Sequence, residues 1–462
     1  MSSVKEQNSI PTGKVERAAR FALTGAKLGV NYVKHYTRKL LDPEVSKEEL
    51  HEANAEDIYD VLSNLKGSAL KVAQMLSLDR GFLPPAYARR FALSQYNAPP
   101  LSGPLVVNTF LKTLGKTPSQ LFDRFNPHAA HAASIGQVHE AWKNGKKLAV
   151  KIQYPGVAHS VKSDLRIVKP IAIRIVGLQE ADMDQYFEEV ETKLLEETNY
   201  RLELQRSQEL SAVCNHLPNL IFPRYYPEYS SDRIITMDWL DGLHLQDFLA
   251  TQPSQDVRNR AGQALWDFYQ FQVHHLRKVH ADPHPGNFLF QADGQVGIID
   301  FGCVKEIPQD FYENYFALTR PELLRDEAHR RQIFRALGIL HPSDTEKEIR
   351  FFTELFQKLI DLTTLPFQRE IFDFGDAGFF EEIYTYTDYV YSLPEVRHSK
   401  IVRGTRHSLY VNRTYFGLYS ILGDLKAQVK TSWQHIEQLK QYVPARVPSG
   451  GQLLPSECVS EG

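Results

Sequence analysis

The chain has 462 residues, 42% of them hydrophobic and 24% charged. That is the make-up of an ordinary globular protein, long enough for one two-lobed domain and an extension. A formal net charge of −3 leaves no basic footprint for nucleic acid. The three cysteines, Cys214, Cys303 and Cys458, stand at no metal-ligand spacing and follow no signal-peptide pattern. They point to a reducing, cytoplasmic setting without a disulfide framework.

In chain order, residues 1–13 are polar and are expected to be disordered. An amphipathic helix is predicted over 14–41. Arg17, Arg20, Lys27, Lys34 and Arg38 share one face, and Phe21, Leu28, Tyr32 and Tyr36 share another. Such a helix suits an anionic membrane surface, and it equally suits packing on the body of the protein with its basic face solvated. No stretch approaches the roughly 18 uncharged apolar residues that a membrane span requires. The helical extension runs over 14–128. Asn97-Ala98-Pro99-Pro100 interrupts it, and a helix from Leu105 to Leu114 leads to a first strand near 129.

A small strand-rich lobe is predicted over 129–242. Ala129 to Glu140 reads as a loop between two strands, placed to lie over phosphates. Alanine at Ala132 and Ala133, beside Ser134, stands where glycine would let backbone amides approach an anion more closely. Leu148-Ala149-Val150-Lys151 reads as a strand ending in a cation. Residues 183–206 place Met183, Phe187, Val190 and Leu194 at helical spacing among carboxylates, the pattern of one amphipathic helix. Ile221 to Gly242 supplies further strands and a connecting hinge, where the backbones of Met237 and Leu240 would meet a purine base.

The remaining residues, 243–443, read mainly as helices, and they carry the densest chemistry. His280-Ala281-Asp282-Pro283-His284-Pro285-Gly286-Asn287 is followed by Ile298-Ile299-Asp300-Phe301-Gly302. Between them, two apolar runs meet at Asp293-Gly294, a hairpin signal that brings Asn287 and Asp300 to one end of paired strands. There two oxygen ligands can share a hard cation such as Mg²⁺. Lys151 on the phosphates, Asp282 at the attacking group, and Asn287 and Asp300 on the metal make the inventory of a protein-kinase-like ATP site. After Gly302 no Ser, Thr or Tyr occurs before Tyr312, and Ala281 occupies the place of an arginine that would read a phosphorylated loop. Both features argue against phosphoregulated protein phosphorylation. Cys303 fits the role of a small buried filler. Arg403 and the run Asn412–Tyr419 form a polar-aromatic patch without an assigned role, and 444–462 is a Pro/Gly/Ser-rich tail.

The Ala-Ala-Ser-Ile-Gly-Gln-Val-His stretch, Val-Lys-Ile-Gln-Tyr-Pro-Gly-Val, His-x-Asp-x-His-Pro-Gly-Asn and Asp-Phe-Gly together resemble the UbiB family of atypical kinases, also called the ADCK or AarF group, from about residue 60 to 425. The resemblance implies an α+β, protein-kinase-like two-lobed fold: a small antiparallel-sheet N-lobe, a helical C-lobe and a helical N-terminal extension. It implies ATP and Mg²⁺ as cofactors, and an ATPase or a lipid- or small-molecule-directed activity supporting isoprenoid quinone biosynthesis at a membrane surface. The family's Lys-x-Gly-Gln element corresponds to Lys71-Val72-Ala73-Gln74, with alanine for glycine. Its Glu-x-Asp element corresponds to Glu197-Thr198-Asn199, with asparagine for aspartate. Lys71, Gln74, Glu197 and Asn199 are thereby regulatory candidates. Glu203, by composition one carboxylate on a solvated face, becomes the partner of Lys151. The His-x-Asp-x-His-Pro-Gly-Asn element is also similar to that of choline and aminoglycoside phosphotransferases. A nucleotide-binding scaffold that transfers no phosphate is the third reading.

Overall fold

The computed structural model describes residues 52, 54–59, 101–132, 135–176, 180–397, 401 and 403–443. The basic helix expected over 14–41, the Lys71–Gln74 element, Ala133 and Ser134 of the alanine-rich stretch, and the 444–462 tail lie outside the described residues.

A helix, α1 (Gly103–Leu114), precedes three consecutive strands: β1 (Arg124–Ala132), β2 (Gly136–Lys143) and β3 (Lys146–Gln153). Asn144 and Gly145 close the β2–β3 hairpin with φ of 51° and 76°. This is the double positive-φ turn whose twist matches paired strands. After β4 (Leu220–Ile221), which joins the other lobe, β5 (Ile234–Asp238) completes a four-stranded antiparallel sheet in the order β1-β2-β3-β5. The sheet begins at Arg124, five residues ahead of the expected start. Ala129–Ala132 pair in β1 and Gly136–Glu140 in β2, so most of the stretch expected as a loop is strand. Only residues 133–135 connect the two.

Successive strand side chains face opposite ways. Val150 and Ile152 therefore enter the lobe's core with Phe110, Tyr154, Tyr200 and Ile234, while Lys151 turns the other way.

Two helices, α2 (Val157–Val176) and α3 (Glu180–Glu197), pack against each other and lead to α4 (Tyr200–Cys214). The single helix expected over 183–206 is thus two. Asn199 breaks it at φ −96° and ψ 83°, and its side chain accepts the Leu202 N–H at 3.2 Å. A short amide side chain competes with helical continuation and favours a cap instead. α4 then belongs to both lobes. Tyr200 sits in the N-lobe core, whereas Leu210, Val213 and Cys214 sit in the C-lobe core. The middle of α4, where Glu203 lies, therefore faces the cleft between them.

In the C-lobe, α5 (Gln255–Phe271) is buried continuously from Ala264 to Phe271. It runs through a π-helical turn into β6 (Lys278–His280). The predicted hairpin is present: β7 (Phe288–Phe290) pairs antiparallel with β8 (Val296–Ile298), and Gly294 takes φ 87° in the turn. β9 (Val304–Glu306) pairs back onto β6 immediately after Asp-Phe-Gly, and α6 (Gln309–Ala317) follows. α7 (Glu346–Thr363), β10 (Ile371–Asp373), α8 (Arg406–Leu425) and β11 (Gln428–Lys430) build the rest around Trp266 and a dense set of aromatic rings. The architecture is the expected kinase-like one, an antiparallel N-terminal sheet followed by a mostly helical region. Among the described residues, no helix is long and apolar enough to cross a membrane.

Candidate active site

Lys151 is the hub. Its Nζ donates to Glu203 Oε1 at 2.6 Å and to Asp300 Oδ2 at 2.7 Å, joining β3, α4 and the segment after β8. Only 13% of the lysine side chain and 4% of the glutamate is exposed, so this pair is desolvated. Burial disfavours the ammonium, but the two carboxylates outweigh it and hold Lys151 protonated well above its ordinary range. Burial pushes Glu203 up to about 7 against the pull of Lys151, because Asp300 shares the same cation. Desolvation works against ionising Asp300, whose side chain stays 28% exposed, yet Lys151 and the Gly302 N–H keep it below the usual carboxylate range. By composition Glu203 is one carboxylate among many on its helix; the lobe-spanning α4 selects it.

Asp300 is oriented by its own motif. The Gly302 N–H donates to Asp300 Oδ1 at 2.7 Å. Phe301 is fully buried, packed against Phe222, Phe268 and His280, which anchors the segment in the C-lobe core. A Cβ at residue 302 would lie 3.2 Å from Asp300 Oδ1 and 3.6 Å from Glu203 Oε2, so glycine leaves the carboxylates their room.

The His-Pro-Gly-Asn run is a capped turn. His284 Nδ1 accepts the Gly286 N–H at 3.0 Å, and Pro285 opens a 3₁₀ turn that ends at Asn287. Asn287 Nδ2 donates to the Asp282 carbonyl at 2.9 Å, which leaves its Oδ1 as the acceptor end. The Ile299 N–H donates to the Asn287 carbonyl at 3.2 Å, so the hairpin does carry Asn287 and Asp300 side by side. Two oxygen-donor side chains on adjacent strand ends suit a hard divalent ion whose other ligands are phosphate and water. Among the described residues, no group of three or more His, Cys, Asp or Glu forms a protein-only cage.

Asp282 is buried beside cations that sequence reasoning missed. Arg413 Nη2 on α8 lies 3.7 Å from Asp282 Oδ1. Lys193 on α3, 3% exposed, reaches the Ala281 carbonyl at 3.5 Å and lies 4.7 Å from the Tyr410 ring centroid. Arg413 falls in the run left unassigned from sequence, and a lone arginine on a long helix carries no periodic signal.

The alanine-rich stretch is braced from below. Gln137 Oε1 accepts the Leu101 N–H at 2.7 Å, its Nε2 meets His139 Nε2 at 2.7 Å, and His139 Nδ1 meets the Asn126 carbonyl at 2.9 Å. Burial holds His139 below its ordinary range, hence neutral. Gly136 is required for closeness, since a Cβ there would lie 2.7 Å from the Tyr200 hydroxyl. Met237 is committed to the sheet, opposite Ala149 on one edge and bridged to Tyr225 on the other, so its backbone is not the free hinge edge expected. Leu240 lies past the strand, and its side chain packs over Gly297 on the C-lobe side of the cleft.

Glu197 is buried at the end of α3, near Gly302 and Cys303. Asn199 instead caps α4 and approaches the site only through that helix. The Glu-x-Asn element thus lies at the junction preceding the helix of Glu203, not on it. Cys303 is buried, as expected of a filler.

A bilobal fold with a lysine–glutamate pair, a buried aspartate before a capped turn and an Asp-Phe-Gly hairpin is a kinase-like class of structure. Residues 93–333 match the family described as the ABC1 atypical kinase-like domain, and the chain belongs to that family, also known as UbiB or aarF-domain proteins. It is 27% identical over 341 residues to an uncharacterized aarF domain-containing protein kinase, chloroplastic, of Arabidopsis thaliana. That match covers 72% of this chain and 48% of the relative, so the chain spans about half the length of that protein. It is 28% identical to the mitochondrial atypical kinase COQ8B of Rattus norvegicus, covering 81% of this chain and 72% of the relative. The solved structure of Rv3197 with erythromycin from Mycobacterium tuberculosis is similar with a TM-score of 0.58 and 25% identity. It covers 86% of this chain and 97% of that one.

Proposed function

We propose that the cleft binds Mg-ATP and that the chain is an atypical kinase or ATPase whose acceptor is water, a small molecule or a lipid. The Lys151–Glu203–Asp300 triad at 2.6 and 2.7 Å carries the reading, because it presents a positioned, permanently charged lysine to phosphate oxygens. Lys151 orients the α- and β-phosphates, and Glu203 holds it in place. Asp282 accepts a hydrogen bond from the attacking hydroxyl or water and takes its proton, while Lys193 and Arg413 keep charge balance around it. Asn287 Oδ1 and Asp300 are the side chains that would hold Mg²⁺, which when bound neutralises charge on the phosphates. Ala132 to Ser134 would lie over the phosphates and Leu240 beside the base.

The direct passage from Gly302 into β9 and α6 supports an acceptor other than a protein docked on an activation segment. Family resemblance supplies the setting, isoprenoid quinone or other lipid metabolism at a membrane surface, with the basic and aromatic segment 14–41 as the peripheral contact and Lys71, Gln74 and Glu197 as regulatory elements. The names of two relatives place them in chloroplast and mitochondrion, so organellar membranes join the cytoplasmic face as candidate locations. Phosphate release by the purified chain, with Asp300→Asn alongside, is the test. Wild-type turnover that the variant lacks is expected, and equal rates would overturn the enzymatic reading.

A further inference from the structure

Two carboxylates hold Lys151, and they arrive on different elements: Glu203 on α4 and Asp300 on the segment that continues into β9. The placement of α4 against β9 decides whether both reach one ammonium, so a side chain that ties these two elements together bears on the site. Glu196, in the last turn of α3, does so. Its Oε2 accepts from Arg206 Nη1 at 2.9 Å, and its Oε1 accepts from Lys305 Nζ at 3.2 Å. Arg206 stands three residues beyond Glu203 on α4, a spacing that makes the two side chains neighbours on the helix surface. Lys305 is the middle residue of β9 and pairs with Val279 of β6, the strand that leads to Asp282. One carboxylate thus joins the helix of Glu203 to the strand pair that carries Asp300 and Asp282.

The surroundings favour a firm tether. Glu196, Arg206 and Lys305 are 23%, 21% and 16% exposed, so water screens these pairs less than it would a bridge in open solvent. Two cations on one carboxylate also form a network, the arrangement in which partly exposed ion pairs do contribute. Lys305 is held a second time, with its Nζ 5.0 Å from the Tyr410 ring centroid on α8. That ring also takes Lys193, so it stands between the lysine of the clamp and the lysine at the Ala281 carbonyl. The neighbouring Glu197 brings its Cγ to 3.7 Å from where a Cβ on residue 302 would lie, which puts the end of α3 directly against Asp-Phe-Gly. α4 itself is anchored by Tyr200 in one core and by Leu210, Val213 and Cys214 in the other. Arg206 lies between those anchors, in the stretch that also carries Glu203.

We propose that Glu196 is a positioning residue: by holding Arg206 and Lys305 it sets α4 against β9, and so sets the pose that Glu203 and Asp300 give Lys151. Its effect on turnover rests on the Mg-ATP reading, whereas the clamp itself is testable without nucleotide. The test is amide hydrogen exchange of the nucleotide-free full chain, as wild type, as Glu196→Gln, which keeps the side chain's shape and removes its charge, and as Lys305→Gln. Glu196→Gln should speed exchange about tenfold both around Glu203 on α4 and over residues 302–306, the low end for hydrogen bonds to a charged group. The β7–β8 hairpin, which Glu196 does not contact, should keep its wild-type exchange. Lys305→Gln should loosen the same two segments, and in a chain already carrying Glu196→Gln it should add about twofold or less, because either change removes the same contact. Faster exchange in neither segment, or in only one, overturns the clamp, and either variant suffices for that comparison. In phosphate release, Glu196→Gln should lower kcat about tenfold while the thermal midpoint stays near that of the wild type. A lowered midpoint with unchanged kcat reduces Glu196 to a stabilising contact and overturns the positioning role. If the wild type releases no phosphate, the Mg-ATP reading and the positioning role fall together, and the exchange data alone still decide the clamp.

Discussion

Removing the ionisable group at Glu203 should change how stability depends on pH. Glu203 is 4% exposed and shares Lys151 with Asp300, which pushes its carboxyl up to about 7 from an ordinary 4.5. Between those values the folded chain holds a proton that the unfolded chain has released. The stabilisation is therefore fully present below pH 4.5 and is lost as pH rises through 7, by up to about 3 kcal/mol. The buried His139 and His274 and the half-buried His275 oppose this trend. Burial holds His139, His274 and His275 below their ordinary range, so their contribution is lost as pH falls. Subtracting the Glu203→Gln variant, which keeps every histidine, isolates the glutamate. Urea denaturation of both proteins at pH 5 and pH 8 is the assay. The wild type should lose stability relative to Glu203→Gln on going to pH 8. Parallel changes in the two proteins would refute the picture of a carboxyl held out of ionisation by burial and a competing aspartate.

Asn199→Ala should cost about 1 kcal/mol in the same denaturation assay, because the Leu202 N–H loses its cap, whereas Asn199→Asp should leave stability nearly unchanged. Gly417→Ala places a Cβ 2.4 Å from Pro283 Cγ, and the displaced loop should lower phosphate release while the overpacking costs roughly 1–3 kcal/mol of stability in a melt. Unchanged release would mean the loop yields without moving Asp282. Arg413→Gln removes the cation 3.7 Å from Asp282 and should slow phosphate release by about tenfold or more, with nucleotide affinity by calorimetry nearly unchanged. A loss of affinity instead would move Arg413 to the nucleotide.

The chemistry at strand ends and turns was readable because it is local. A strand lysine after apolar residues, Asp-Gly between two apolar runs, and His-Pro-Gly-Asn each specify their own backbone within a few residues, and the structure builds them as strand, hairpin and capped turn. The helix over 183–206 was misread for a related reason. Apolar periodicity continues across residue 199, while the break depends on one side chain choosing a cap over a helix. The alanine-rich stretch looked like a loop because small residues carry no strand signal, yet pairing with β2 makes most of it sheet.

The sequence by itself determined the kinase-like motif order, the hairpin joining Asn287 to Asp300 and the absence of a phosphorylatable activation segment, since each is encoded over short separations. Only the tertiary structure decided which glutamate meets Lys151, that Lys193 and Arg413 flank the catalytic loop, and that Arg403 pairs with Asp344. Those contacts join residues 52, 88, 131 and 59 positions apart. Whether such side chains meet is set by how the two cores dock α4 and α8 against the cleft, and no local spacing records it.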